Sequence, residues 1–148
     1  MVEEGKPAPD FELPSDDGET VKLSALRGKP VVLYFYPKDE TPGCTKQACG
    51  IRDSYDAFRE RGAEVFGIST DTQASHEKFK SKYQLPFTLL ADPERKVGEA
   101  YGVTKDDSNY FERSTFVIGA DGKVAKVLRR VDPEKHAGQV LDALPAKN

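Results

Sequence analysis

The chain has 148 residues, enough for one domain with a hydrophobic core, and its 37% hydrophobic and 32% charged content is typical of a globular protein. A net charge of −3 gives no electrostatic reason to expect a nucleic acid or an acidic membrane as a partner. No apolar run approaches the roughly 20 residues needed to cross a bilayer. The acidic, proline-bearing start MVEEGKPAPDFELP is unlike a signal or transit peptide, so we expect a cytoplasmic protein, or a mature form whose leader is absent.

Turn and breaker residues divide the chain into short strands and helices. Two apolar pieces around SDDG predict an N-terminal β-hairpin over residues 11–23. The segment PVVLYFY at 30–36 is apolar throughout, which is typical of a strand buried on both faces. Apolar residues spaced by three and four then predict a helix over 41–61. The other predicted elements are a helical turn at 24–29, strands at 63–70 and 86–92, helices at 72–84, 93–103 and 133–144, and a hairpin of 113–119 and 124–131.

This order of elements indicates an α/β or α+β sheet layered with helices. A βαβ unit, then a helix, a β-hairpin and a final helix, is compatible with a thioredoxin-like fold that carries an N-terminal hairpin as an extension. The sequence contains no repeat and no linker that would divide it. We therefore expect a single domain over residues 1–148.

The chain has two cysteines, Cys44 and Cys49, within the segment PKDETPGCTKQAC at 37–49. Two are too few for a disulfide-stapled scaffold, which leaves packing, metal ligation or redox chemistry. Metal ligation is the weakest of these, because the two histidines, His76 and His136, lie far from the cysteines and from each other and form no C-x2-C or H-x3-H spacing. We interpret each histidine as a surface residue of a helix.

Cys44 falls in the first turn of the helix predicted after the buried strand. At a helix start, unpaired backbone N–H groups and the helix dipole stabilise negative charge, and the thiolate is the reactive form of cysteine. Thr41 precedes Cys44 by three positions, so its hydroxyl can meet the sulfur or a substrate oxygen. A free cysteine often acts as a small buried hydrophobe, but the strand-Pro-Thr-Pro-Gly-Cys context favours reactivity.

Cys49 lies about 140° further round the helix, with its Cα about 8.6 Å from that of Cys44 by ideal helix geometry. A disulfide needs Cα atoms within roughly 7 Å of each other, so an intact helix cannot carry this bond. Gly50 eases local opening, because glycine destabilises a helix by about 1 kcal/mol relative to alanine. The geometry fits a cycle in which Cys44 becomes a sulfenic acid, the helix start unfolds, and Cys49 attacks.

The stretch PKDETPGCTKQACGIRDSYDAF resembles the peroxiredoxins, in particular their Q-type, bacterioferritin comigratory protein branch. Pro37, Thr41 and Cys44 match the family motif P-x3-[TS]-x2-C, and this branch often places its resolving cysteine at the position of Cys49. The likeness continues through GAEVFGISTD, YQLPFTLLAD and RSTFVIGADGKV, and so covers nearly the whole chain.

The resemblance implies a thioredoxin fold and a thiol peroxidase with no metal or organic cofactor. Peroxide would be held by Thr41, by the backbone near Cys44, and by an arginine that the family pattern places at Arg113. Composition and spacing alone do not single out that arginine. Pro37 would shield the thiolate from water. Cys49 would resolve the sulfenic acid, and thioredoxin or a similar dithiol protein would reduce the resulting disulfide.

The segment GVTKDDSNYFE, which precedes Arg113, is acidic and shorter than in many relatives. Within it, Tyr110 and Phe111 either line the rim of the pocket or pack as plain loop residues. The tail PAKN lacks a long extension with a second-subunit resolving cysteine, which favours intramolecular resolution in a monomer. Two other functions stay open: a redox sensor whose helix opening exposes a partner surface, and a thioredoxin-type oxidoreductase, against which the lack of C-x2-C argues.

Overall fold

A computed structural model describes residues 2–104 and 110–144 of the chain. The strands are β1 (Glu12–Pro14), β2 (Thr20–Lys22), β3 (Val31–Phe35), β4 (Glu64–Ser69), β5 (Thr88–Ala91), β6 (Ser114–Ile118) and β7 (Val124–Arg129). Strands β1 and β2 form a separate antiparallel pair and lead into a short 3₁₀ helix at Leu23–Leu26. The other five strands form one sheet in the order β5-β4-β3-β6-β7.

Five α-helices accompany the strands among the described residues, and none of them is long and apolar enough to cross a membrane. Within the sheet, β3 is parallel to β4 and antiparallel to β6, so the sheet is mixed. The predicted thioredoxin-like mixed sheet with an N-terminal hairpin is confirmed. The helices are α1 (Pro42–Asp53), α2 (Tyr55–Glu60), α3 (Gln73–Tyr83), α4 (Lys96–Ala100) and α5 (His136–Ala143).

The central strand β3 is buried on both faces, as its continuous apolar sequence predicts. Alternate residues of a strand point to opposite faces of the sheet, so β3 and Tyr36 after it divide the core into two clusters. Val31, Leu33 and Phe35 pack with the N-terminal hairpin and α4. Val32, Tyr34 and Tyr36 pack with α1, α2, α3 and α5. The chain therefore passes from the end of β3 into α1, which lies on the face that carries Val32, Tyr34 and Tyr36.

The helix predicted over 41–61 is interrupted, and that prediction is wrong at Ser54. The backbone of Ser54 has φ −104° and ψ 7°, outside the α-helical region, and separates α1 from α2. Its N–H is shared between the carbonyl oxygens of Gly50 at 3.2 Å and Ile51 at 3.1 Å, a bifurcated pattern common at helix ends. Serine favours such breaks because its hydroxyl competes for backbone hydrogen bonds. The cysteine-bearing helix is thus only 12 residues long.

The fourth and fifth helices are also shorter than predicted. Helix α4 begins only after Arg95, whose φ of 63° places it in the left-handed region, and the Asp92 carboxylate accepts a hydrogen bond from the N–H of Gly98 at 2.9 Å. Residues 93–95, which the sequence pattern assigned to the helix, belong instead to the turn that begins at Asp92. Helix α5 begins at His136, three residues after Pro133.

Candidate active site

Cys44 lies where β3 passes into α1. Thr41 caps the helix with extended backbone, at φ −78° and ψ 153°, and Pro42 takes the first helical position, where its missing N–H costs nothing. The first backbone hydrogen bond of the turn runs from the N–H of Thr45 to the carbonyl of Thr41 at 2.9 Å. The N–H groups of Gly43 and Cys44 therefore have no partner within the helix and lie at its positive end.

Arg113 is brought to the same place by the sheet. It immediately precedes β6, which pairs with β3, and its own carbonyl accepts a hydrogen bond from the N–H of Val131 at 3.0 Å. Its guanidinium Nη1 lies 3.4 Å from the sulfur of Cys44 and donates to Oε1 of Gln47 at 2.6 Å. A permanent cation with hydrogen-bond donors thus lies beside the sulfur.

Gln47 is a site residue that the sequence analysis missed. It is fully buried, and it lies three residues after Cys44, on the same face of α1. That helical spacing was the available signal, but only the structure shows that its side-chain oxygen holds Arg113. Gln47 therefore fixes the guanidinium from the same helix that carries the sulfur.

Gly43 allows the guanidinium to come this close. A Cβ at this position would stand 3.0 Å from Nη2 of Arg113 and 3.7 Å from a ring carbon of Pro133. Any side chain here would have to push Arg113 away or shift by a few tenths of an ångström. The glycine of the TPGC motif thus contributes room for the cation.

Cys44 is only 1% exposed and belongs to the apolar cluster beneath α1. Arg113 contacts the sulfur and also lines an open surface depression. The depression is lined by Pro37, Glu112, Arg113, Arg130 and Val131.

The hydroxyl of Thr41 donates to the carbonyl oxygen of Lys38 at 2.8 Å. Because its proton is engaged there, the lone pairs of the Thr41 oxygen remain to accept a hydrogen bond from a ligand. Arg113, in contrast, can only donate. The two residues predicted to hold peroxide therefore offer opposite hydrogen-bonding capacities.

Cys49 is half-buried, and both cysteines are free thiols. Both lie within α1, which runs without interruption from Pro42 to Asp53. Since a regular helix separates their Cα atoms by about 8.6 Å, the reduced helix holds them too far apart to bond.

The interpretation of both histidines as surface residues is wrong. His76 and His136 are fully buried. His76 shares a face of α3 with Phe79, and this spacing of three was the signal that the polar composition of the helix obscured. His136 has its Nε2 2.6 Å from Oγ1 of Thr115, and burial together with the positive charge of Arg113 lowers the pKa of His136 to about 3, so this imidazole is neutral near pH 7.

The two aromatic residues before Arg113 differ. Phe111 is fully buried, stands edge-on to Phe35 with ring centroids 5.6 Å apart, and is packing. Tyr110 is 45% exposed, and the ammonium of Lys38 lies 5.9 Å from its ring centre, beside the loop that leads to Cys44. The rest of the shortened segment, residues 105–109, and the tail PAKN lie outside the described residues.

One group of side chains in the described part of the chain has ligand atoms close enough to hold a metal ion. Atoms of Asp39, Asp71 and His76 lie within 4.8 Å of one another. Both nitrogens of His76 are already engaged, Nδ1 with Asp39 at 2.7 Å and Nε2 with the carbonyl of Leu90 at 2.9 Å. A metal ion would have to displace these bonds, so the group is better explained as a hydrogen-bonded cluster.

Comparison with known proteins gives one consistent family. Residues 4–127 match the family model described as AhpC/TSA family. The chain is 49% identical to "Peroxiredoxin Bcp" of Bacillus subtilis over 97% of this chain and 95% of that protein. It is 51% identical to "Peroxiredoxin Q, chloroplastic" of Oryza sativa subsp. japonica over 97% of this chain and 67% of that protein.

Solved structures agree with this assignment. Peroxidoxin BcpB of Mycobacterium tuberculosis superposes with a TM-score of 0.90 at 38% identity, covering 97% of each chain. The bacterioferritin comigratory protein of Xanthomonas campestris, described in terms of its alkyl peroxide reduction activity, superposes with a TM-score of 0.89 at 32% identity over 96% of this chain and 97% of that one. This chain therefore belongs to the AhpC/TSA family, and it is a peroxidase of the peroxiredoxin Q (Bcp) branch.

Proposed function

We propose that Cys44 is the peroxidatic cysteine of this peroxidase, and that it reduces hydrogen peroxide and alkyl hydroperoxides. The observation that carries the proposal is the Cys44 sulfur at the N-terminus of α1, 3.4 Å from the guanidinium of Arg113. A helix N-terminus and a cation both attract negative charge, and the thiolate is the nucleophilic form of cysteine. The alkyl peroxide reduction described for the Xanthomonas campestris relative supports the choice of substrates.

Peroxide binds between Thr41 and Arg113. The Thr41 oxygen accepts a hydrogen bond from the peroxide O–H, because the hydroxyl proton of Thr41 is already given to Lys38. Arg113 and the free N–H groups of the first turn of α1 donate to the peroxide oxygens and stabilise the charge that develops as the O–O bond breaks. Pro37, on the wall of the depression with Arg113, limits access of water to the thiolate.

The chemical step is a two-electron oxidation of the Cys44 sulfur by the peroxide. The Cys44 thiolate attacks one peroxide oxygen, the O–O bond breaks, and the departing oxygen takes a proton and leaves as water or alcohol. Cys44 is left as a sulfenic acid.

Cys49 resolves the sulfenic acid in the second step. Its thiolate attacks the Cys44 sulfur, forming the S–S bond and releasing the sulfenic oxygen as water. Because both residues lie in α1, this step requires the helix to unfold locally. Gly50, next to Cys49, lowers the free energy needed for that opening.

A dithiol protein such as thioredoxin then reduces the disulfide, and the chain works as a monomer in the cytoplasm. The resemblance to the peroxiredoxin Q branch supports the reductant. Two cysteines within one helix support a monomer, because resolution then needs no residue from a second subunit.

The proposal is tested by peroxide consumption coupled to a thioredoxin system. Cys44→Ser should abolish turnover, and Cys49→Ser should consume one equivalent of peroxide and then stop turning over efficiently. Many turnovers by the wild-type protein distinguish an enzyme from a sensor that is oxidised once. Wild-type rates for Cys44→Ser would contradict the assignment of Cys44.

A further inference from the structure

The loop between β3 and α1 carries a buried carboxylate that the reaction does not use. Asp39 is only 5% exposed, although it lies between the exposed residues Lys38 and Glu40. Its Oδ1 accepts a hydrogen bond from the hydroxyl of Tyr36 at 2.5 Å. Its Oδ2 accepts one from the hydroxyl of Ser75 at 2.9 Å and lies 2.7 Å from Nδ1 of His76. Three donors from two elements thus converge on one carboxylate.

The protons of this group follow from its hydrogen bonds. Nε2 of His76 lies 2.9 Å from the carbonyl oxygen of Leu90, which can only accept, so Nε2 carries a proton. The 2.7 Å contact between Nδ1 and Asp39 then needs a second proton between those two atoms. Asp39 and His76 are therefore joined by a hydrogen bond, and each is also bound by further partners, which explains how both can be buried.

The pair ties the active-site loop to α3 and to the edge strand β5. His76 belongs to α3 and reaches β5 through Leu90, while Asp39 belongs to the loop. The backbone N–H of Asp39 adds a second tether, to the carboxylate of Asp71 at 2.9 Å. Between these tethers and Thr41, Glu40 adopts a left-handed φ of 62°, a conformation that a non-glycine residue keeps only where its surroundings hold it.

We propose that the Asp39–His76 pair is a positioning device for peroxide reduction. It holds the loop so that Pro37 and the Thr41 hydroxyl stand in fixed positions relative to the Cys44 sulfur, and neither member of the pair touches the substrate. The inference rests on the proposed roles of Cys44 and Thr41. A loop released from this tether loses the alignment of Thr41 but leaves Cys44 in α1.

Two substitutions of His76 form a matched pair. In His76→Asn the amide nitrogen takes the place of Nδ1 and keeps a donor to Asp39. In His76→Gln the amide nitrogen takes the place of Nε2 and keeps a donor to Leu90. Both variants lose the ring and its packing, and each keeps one of the two hydrogen bonds: His76→Asn keeps the bond to Asp39 in the loop, and His76→Gln keeps the bond to the Leu90 carbonyl in β5.

The readout is the rate of Cys44 oxidation by hydrogen peroxide, compared with the rate of its alkylation by iodoacetamide. Alkylation needs a thiolate but not Thr41. We expect His76→Gln to slow oxidation by about 10- to 100-fold, the cost of misplacing a positioning group. Alkylation should change by less than about threefold, and His76→Asn should retain most of the oxidation rate. The double variant Asp39→Asn/His76→Gln should be no slower than the slower single variant, because the pair acts as one unit.

Equal oxidation rates for His76→Asn, His76→Gln and the wild type would overturn the inference, and so would equal loss of oxidation and alkylation. Phe58→Leu, a buried substitution on α2, controls for a general loss of stability. If His76→Gln does not fold, Ser75→Ala replaces it: about threefold slower oxidation with unchanged alkylation supports the inference, and unchanged oxidation overturns it. Full turnover in Cys44→Ser would instead show that the proposed function is wrong.

Discussion

The loop before Cys44 and the helix that contains it are held in different ways. The loop is fixed from inside by a buried polar cluster, in which Asp39 receives hydrogen bonds from Tyr36 and Ser75 and contacts His76. Helix α1 packs through Ala48 and Ile51 in the apolar cluster, and its Gln47 accepts a hydrogen bond from Arg113. Buried polar networks specify one arrangement, whereas a short helix packed on apolar side chains can open locally. The peroxide pocket needs the first property and disulfide formation needs the second.

The outer contacts of α1 are correspondingly weak. Its ion pair with the segment before α5, Lys46 with Glu134 at 2.9 Å, is largely exposed, and such pairs contribute little to stability. The helix contains Gly43 and Gly50 and ends after 12 residues, at Ser54. Unfolding its first half would release the buried side chains of Cys44, Gln47 and Ala48 and break the hydrogen bond from Arg113 to Gln47, while the loop stays anchored.

The largest expected effect comes from removing the cation beside the Cys44 sulfur, which is the guanidinium of Arg113. Arg113→Met should slow oxidation of Cys44 by hydrogen peroxide about 1,000-fold, because it removes a donor aimed at charge that develops in the transition state. Stopped-flow or competition kinetics with the reduced protein measure this rate. Arg130→Met is the matched control, since Arg130 lines the same depression, is exposed, and should change the rate by less than about threefold. A comparable loss in both variants would contradict a specific role for Arg113.

Acid should destabilise the protein through His136 of α5, which is buried against Tyr34 and Thr115. Burial and Arg113 lower the pKa of His136 to about 3, below its usual value of 6.5. The unfolded chain therefore binds a proton that the folded protein does not, and the free energy of unfolding should fall by a few kcal/mol as the pH drops from about 6.5 to about 3. Urea unfolding at a series of pH values measures this.

His136→Leu is the control for that prediction. It removes the titrating group, so stability should depend less on pH between 6 and 4, even if the Thr115 hydroxyl loses its partner and the variant is less stable at pH 7. An equally steep dependence in the variant would assign the acid sensitivity to other groups.

A methyl group added at Gly43, in the first turn of α1, should disturb the position of Arg113. In Gly43→Ala the added Cβ would stand 3.0 Å from Nη2 of Arg113, so the guanidinium must move. We expect oxidation of Cys44 to slow about tenfold, because a displaced donor loses part of its transition-state contact. An unchanged rate would show that Arg113 can shift without consequence.

The same substitution seven residues later should affect only the second step. In Gly50→Ala the added Cβ meets Ala137 at 3.9 Å, an ordinary contact, so nothing near the sulfur moves. The change should stabilise α1 by about 1 kcal/mol and thus slow disulfide formation about fivefold. Sulfenic acid formation should keep its rate. Tryptic mapping of quenched samples separates the two steps, and equal slowing of both would contradict local unfolding as the origin.

The sequence predicts those parts of the site that are local. The apolar run ending in Tyr36 indicates the buried strand, and the helix start after it places Cys44 at a positive helix end. Arg113 lies 69 residues from Cys44, and only the family resemblance identified it. Its contact depends on the antiparallel pairing of β3 with β6, which no local pattern specifies.

The buried polar contacts were not predictable in the same way. Asp39 and His76 stand 37 residues apart, and each is a polar residue type that is usually found at the surface when considered alone. Their burial depends on the hydrogen bond between them, which exists only in the folded chain. The break at Ser54 was not predicted because the helical spacing of apolar residues continues across it to Phe58, which is buried in α2.

The most direct test of the difference between loop and helix is amide hydrogen exchange after one equivalent of peroxide, combined with mass mapping of the cysteines. We predict a Cys44–Cys49 disulfide within one chain, lost protection for amides 45–50, and retained protection in β3 and in α3 around His76. A disulfide between these two cysteines with the α1 amides as protected as in the reduced protein would contradict resolution by helix unfolding. So would oxidation that joins two chains instead.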